Sequence, residues 1–328
     1  MSRTFGDNLS ANAPEHRPRA GAETRDIPPI GMVSARVEHL ERLRGYGISR
    51  VEIVQFRCSE GELRRIVAEE WPIFSAHCPL LFPDWYPDWP LTAALVDLDE
   101  GRRRATMGLI EHTVGLAAEL GAQYVNVHAE RPALLLGETR VQEADEEAGV
   151  ALAREGCEWL QEQAQQSDLP MHIENMVANP LFWSADHYLH ALADLPDVHV
   201  CLDLGHLALN AAKFGFSVME WIAALAPRIG SVHVYNNRYH ERFEFEELRG
   251  SELLRKLPVH PGQSPHDGWL DVPAILETVL AARPDCCLNH EIYASLDTDP
   301  QVTREGIAWV QELWEQCVGG PPRPPAEG

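Results

Sequence analysis

The sequence lacks any run of 18 apolar residues, so no segment reads as a membrane span. Its opening stretch, MSRTFGDNLSANAPEHRPRAGAETRD, has no apolar core of the kind a secretory signal carries. There is no C-x-x-C pair, and the seven cysteines are odd in number and scattered. That usage fits reduced, mostly buried thiols in a cytoplasmic setting. Neither a G-x-G-x-x-G after the first strand nor a G-x-x-x-x-G-K-[ST] is present, so neither nucleotide-binding fingerprint applies. Basic residues are scarce, 27 Lys plus Arg against 50 Asp plus Glu, for a formal charge of −23. Such a surface repels phosphate backbones, and neither nucleic acid nor an anionic membrane is an expected partner.

What is present suits an ordinary globular chain: 328 residues, 45% hydrophobic and 23% charged, with fifteen histidines as the unusual count. Residues 1–26 and 318–328 are polar and punctuated by proline and glycine, and read as poorly ordered tails. Between them, over 27–317, short apolar β-branched runs alternate with longer helical patterns. Strands are expected at 27–33, 51–56, 73–77, 124–128, 171–174, 198–203, 231–235 and 287–292. Helical spacing follows, for example at 60–70, 93–120, 142–165, 218–225, 272–282 and 304–317. The strand runs are nearly continuously apolar, as in a parallel sheet buried on both faces. Eight strand–helix units make this an α/β chain, expected to fold as a single-domain (βα)8 TIM barrel rather than a doubly wound sheet.

Two loops stand out. CPLLFPDWYPDWPL, after the third strand, holds Phe82, Trp85, Tyr86 and Trp89. It is either self-packed or an aromatic wall over a pocket. The connection 236–271 is long enough to be functional and is expected to hold a short helix near 244–257.

The third to eighth strands each deliver a His, Asp or Glu to one rim: His77, His128, Glu174, Asp203 with His206 beyond it, His233, and Glu291 on the eighth strand. Singly, such residues are usually structural histidines or helix caps. Jointly, they would place several carboxylates together, at a cost of several kcal/mol each without a counter-ion. A divalent cation removes that cost. Three carboxylates and one imidazole, with no thiolate, suit Mn²⁺, Zn²⁺, Co²⁺ or Fe²⁺.

HIENM around Glu174, CLDLGHLAL around Asp203 and His206, SVHVYNN around His233 and NHEIY around Glu291 resemble the xylose-isomerase-like barrel superfamily. That group includes sugar-phosphate isomerases/epimerases, ketose 3-epimerases, inosose dehydratases and endonuclease IV. The resemblance implies a metal held by Glu174, Asp203, His233 and Glu291, with Glu174 and Glu291 as the acid/base pair. It also implies substrate contacts from His206 and Arg238, and places His77 and His128 where endonuclease IV binds a further zinc. Where that enzyme has a D-x-H motif, this chain has Ser264-Pro265-His266. With the −23 charge, that departure argues against three-metal DNA cleavage.

The expected function is therefore a divalent-metal-dependent isomerase or epimerase of a small polyhydroxy carbonyl compound, acting by enediolate proton transfer. Its alternatives are dehydration of a cyclitol or sugar ketone, with His206 or His266 as acid, and di-metal hydrolysis of a phosphoester. Trp85, Trp89 and Trp269 are candidate apolar faces for the substrate. Only Arg131 and Arg238 stand near the ligand positions as phosphate partners, which favours a substrate without phosphate. A homo-oligomer is compatible with this reading.

Overall fold

The computed structural model describes residues 30–34, 36–69, 71, 73–86, 95–129, 143–177, 181–237, 256–292 and 299–319. Eight parallel strands close in chain order: β1 (Ile30–Ser34), β2 (Val51–Val54), β3 (Ile73–His77), β4 (Val125–His128), β5 (Met171–Glu174), β6 (Val198–Asp203), β7 (Ile229–Val234) and β8 (Cys287–His290). β8 pairs back onto β1 and seals the barrel. The helices are α1 (Val37–Gly45), α2 (Glu60–Glu69), α3 (Glu100–Leu120), α4 (Glu143–Ser167), α5 (Ala185–Ala191), α6 (Leu204–Phe214), α7 (Val218–Leu225), α8 (Val272–Ala282) and α9 (Pro300–Val318). The fold is the expected (βα)8 barrel.

Its strands alternate more sharply than continuous apolar runs would. Val125, Val127, Met171, Ile173, Val200, Leu202, Val232 and Leu288 belong to the apolar core. Their neighbours Asn126, His172, Cys201, Ser231 and Asn289 are buried on the opposite side. Side chains two apart share a face of a strand, so the apolar set packs against the helices and the polar set fills the barrel. Burying so many polar groups is affordable only when they bond one another, and bonds such as Ser75 to Glu52 and His172 to Ser231 span the interior.

Several expected boundaries move. β8 ends at His290, so Glu291 is not on the eighth strand but just past it. Its backbone N–H still donates to the Val234 carbonyl at 3.2 Å, which keeps it on the rim. α3 starts at Glu100, not 93, because the Asp99 side chain accepts the Arg102 N–H and caps it there. α9 includes Val318, so the C-terminal tail cannot begin at that residue. Of the expected helix at 244–257, residues 244–255 lie outside the described set. Leu257 instead makes an antiparallel bridge with Asn236. Residues 1–26 and 320–328 also lie outside it. Among the described residues no helix is long and apolar enough to cross a membrane.

Candidate metal centre

Strand register sets the rim. His128 is aligned with Glu174, Glu174 with Cys201, Asp203 with His233, and His77 with Asn126. Inward-facing residues at matched register across a closed barrel meet, whatever their separation along the chain.

Donor atoms of Glu174, Asp203, His233 and Glu291 all lie within 4.8 Å of one another. His233 Nδ1 is 3.0 Å from Glu291 Oε2, 3.4 Å from Glu174 Oε2 and 3.9 Å from Asp203 Oδ2. Asp203 divides its work. Oδ1 accepts the His206 N–H at 2.8 Å, capping α6, and the Tyr235 hydroxyl at 2.6 Å, while Oδ2 faces the cluster. A second group, His77, His128 and Glu174, meets the same distance limit. There His77 Nε2 is 3.0 Å and His128 Nε2 3.4 Å from Glu174 Oε2.

Below this layer, Glu52 of β2 is fully buried. Its Oε1 lies 2.8 Å from His233 Nε2, and its Oε2 accepts from Ser75 at 2.7 Å, Asn289 at 2.9 Å and Tyr124 at 3.1 Å. Sequence inspection passed over Glu52, because a single glutamate within VEIV carries no spacing signal. It also passed over Cys201, whose sulfur lies within 4.8 Å of donors on Glu174 and His233, so the set does have a thiol beside it. Lys256 is the third residue missed. Its Nζ is 2.5 Å from Glu291 Oε1 and 3.5 Å from Asp203 Oδ2.

The charges are mutually supporting. Burial pushes the Glu174 carboxyl up, but the imidazoles of His128 and His233 overcome this and hold it well below the usual carboxylate range. Burial likewise opposes ionisation of Asp203 and is outweighed by His206 and Lys256. Glu52 is brought down to about 2, against its own burial, by the charge and hydrogen bond of His233. His233 is raised well above its ordinary value despite burial, with Cys201, Glu174, Glu291 and Glu52 around it.

The residues fit a divalent cation. His233 Nδ1 and Glu291 Oε2 are buried, 3.0 Å apart, and neither makes a hydrogen bond. Orphaned buried polar atoms are rare in folded proteins, and here two of them converge with two further carboxylates. Ligands about 2.0–2.2 Å from a common ion stand at most about 4.4 Å apart, and these donors, within 4.8 Å of one another, are already close to that range. The Glu52–His233–donor line is the arrangement in which a carboxylate fixes the tautomer of a metal-ligating histidine.

The remaining expected residues divide. His206 joins the cluster, with Nδ1 3.3 Å from Glu174 Oε1 and 3.1 Å from the Asn175 carbonyl. Trp85 is 55% exposed and lies edge-on to His112, with its ring against α3 at Gly108. His266 is exposed in the turn Pro265–Asp267, where its backbone N–H meets Ser264 Oγ. Trp269 follows, half-buried, its backbone N–H on the Ser264 carbonyl. Trp89, Arg131 and Arg238 lie outside the described residues.

The family model described as xylose isomerase-like TIM barrel matches residues 43–313. Among solved structures, a D-tagatose 3-epimerase-like protein superposes with a TM-score of 0.62 at 16% identity, covering 88% of this chain and 97% of its own. L-ribulose 3-epimerase gives 0.60 at 16% identity, covering 90% and 99%. The IOLI protein with a bound zinc atom gives 0.58 at 14% identity, covering 88% and 98%. At these identities the likeness is one of fold. No curated protein sequence matches the chain.

Proposed function

The chain belongs to the xylose isomerase-like TIM barrel family, and from that premise we propose that it is a divalent-metal-dependent isomerase or epimerase of a small polyhydroxy carbonyl compound. Sugar epimerases among its structural neighbours support an enzyme of this kind. The observation that carries the reading is the convergence of Glu174, Asp203, His233 and Glu291, with two orphaned buried atoms among them. These four would hold the ion, with the imidazole turned by Glu52. Bound there, a divalent cation supplies Lewis acidity to a carbonyl and its neighbouring hydroxyl, which acidifies the C–H between them.

The chain does the rest. Glu291 and Glu174 are the acid/base pair: one takes the proton from carbon, the C–H electrons become the enediol double bond, and the carbonyl π electrons move to oxygen. Return of the proton to the other face gives an epimer; return to the neighbouring carbon, with the hydroxyl protons rearranged, gives an isomer. His206 keeps Nδ1 on Asn175, Glu174 and Asp203, which leaves Nε2 for a substrate hydroxyl. If a β-hydroxyl left instead, His206, whose ring lies in the cluster, would be its acid.

The test is solvent exchange. Manganese-loaded protein in D₂O, given ketoses and inososes, should place label beside a carbonyl, and Glu291→Gln should slow this by roughly 10²–10⁴-fold. Hydrolysed products without label would overturn the reading. The His77–His128–Glu174 group favours a second reading, a two-ion phosphoester hydrolase. Two tightly bound ions per chain would support that alternative, and one would support the isomerase.

A further inference from the structure

Of the 27 basic residues in the chain only two are lysines, Lys213 and Lys256. One of the two stands in the candidate site. Among the described residues its head meets Glu291 Oε1 at 2.5 Å, Asp203 Oδ2 at 3.5 Å, and the ring of Tyr235, whose centroid is 4.6 Å from the nitrogen. Tyr235 in turn donates its hydroxyl to Asp203, so the cage is one connected unit.

The backbone that carries Lys256 is pinned to the rim. Leu257 N–H donates to the Asn236 carbonyl at 3.0 Å and Asn236 N–H to the Leu257 carbonyl at 2.8 Å. Asn236 Nδ2 reaches Gln263 Oε1 at 3.0 Å, and Gln263 Nε2 returns to the Pro258 carbonyl at 2.9 Å. These bonds tie the backbone next to the lysine to the end of β7. It meets Glu291 on Oε1, whereas Oε2 faces His233, so the ammonium and the imidazole address opposite oxygens of one carboxylate.

We propose that Lys256 is a catalytic residue of this site. Its ammonium takes the substrate oxygen beside the reacting carbon and stabilises the charge that develops there. This rests on the isomerase reading above. As Glu291 or Glu174 accepts the proton from carbon, the C–H pair forms the carbon–carbon double bond and the carbonyl pair moves onto oxygen. That oxygen receives an N–H from Lys256, turned away from its long 3.5 Å contact with Asp203. When the proton returns to carbon the electrons flow back, and Lys256 ends as it began. A compact ammonium with rotatable donors can follow an oxygen through this change, whereas a planar guanidinium is fixed in its fork. A chain with 25 arginines and two lysines places one of those lysines here.

The test compares wild type with Lys256→Met and Lys256→Arg in the full chain. Three quantities are read: the Mn²⁺ dissociation constant, the affinity of the metal-loaded protein for glycolohydroxamate (an enediolate-shaped anion), and the label-exchange rate. Both variants should bind Mn²⁺ at least as tightly as wild type. Lys256→Met should bind the hydroxamate about tenfold more weakly or worse, the loss expected for a hydrogen bond to a charged group. Exchange should fall roughly 100-fold in both variants, as on removal of one oxyanion donor. Unchanged hydroxamate affinity in Lys256→Met, or a wild type that does not bind it, would overturn the proposal. So would a parallel loss of Mn²⁺ affinity, which would make Lys256 a brace for the carboxylates. Failure of every carbonyl substrate to exchange label would defeat the isomerase reading alone, because the hydroxamate comparison still decides Lys256.

Discussion

Glu52 is a carboxylate sealed from water, and its ionised state survives burial because four polar groups converge on it: His233, Ser75, Tyr124 and Asn289. Its bond to His233 Nε2 leaves Nδ1 for the donor cluster. Glu52→Gln keeps the shape but removes the charge that makes this tautomer the stable one. The expected outcome is a loss of about 10–100-fold in Mn²⁺ or Zn²⁺ affinity, read by direct titration of the folded variant. Wild-type affinity would disconnect the two layers of the barrel. Glu174, Asp203 and His233 were legible because strand-end position and residue type coincide. Glu52 was not, because its significance is its distance from His233, which stands 181 positions further along the chain.

The D-x-G-H turn from β6 into α6 shows how one element serves both fold and site. Asp203 caps the helix with Oδ1 and turns Oδ2 to the cluster. Gly205 follows because there is no room for more: a Cβ there would stand 2.2 Å from the Tyr235 ring. Gly205→Ala must push Tyr235 aside and break its hydroxyl bond to Asp203. An overpacking cost of about 1–3 kcal/mol is expected in thermal unfolding, accompanied by weaker metal binding. Gly115→Ala in α3 is the control, since nothing lies within 4 Å of the added carbon, and it should be neutral or slightly stabilising. The motif itself was visible in the sequence, but the reason for its glycine was not. Likewise, helical spacing alone extended α3 back to 93, where the Asp99 cap actually starts the helix at Glu100.

The buried histidines of the barrel respond to acid in opposite senses: His233 is held above its ordinary value and His199 below it. His199 on β6 sits edge-on to His172 and 3.5 Å from Arg283, and burial followed by the Arg283 charge lowers it to about 4. Between pH 4 and 6.5 the unfolded chain binds a proton at this residue that the folded chain does not. The stability it contributes is therefore complete above about pH 6.5 and lost as the pH falls toward 4. In urea titrations of metal-free protein, His199→Gln should flatten the pH dependence in that window by up to about 2 kcal/mol, after discounting for partial exposure. An unchanged slope would assign the acid response to the other buried histidines. The sequence by itself determined the barrel and the side chains at its rim, because strand–helix alternation and polar strand ends are local patterns that register turns into a shared mouth. Only the tertiary structure decided that the interior is polar, that Glu52 turns His233, that Cys201 adjoins the donors and that Lys256 enters the site. Those are contacts across the barrel or from a connecting segment, 53 positions apart in the case of Lys256 and Asp203, and linear spacing carries no information about which distant side chains closure brings together.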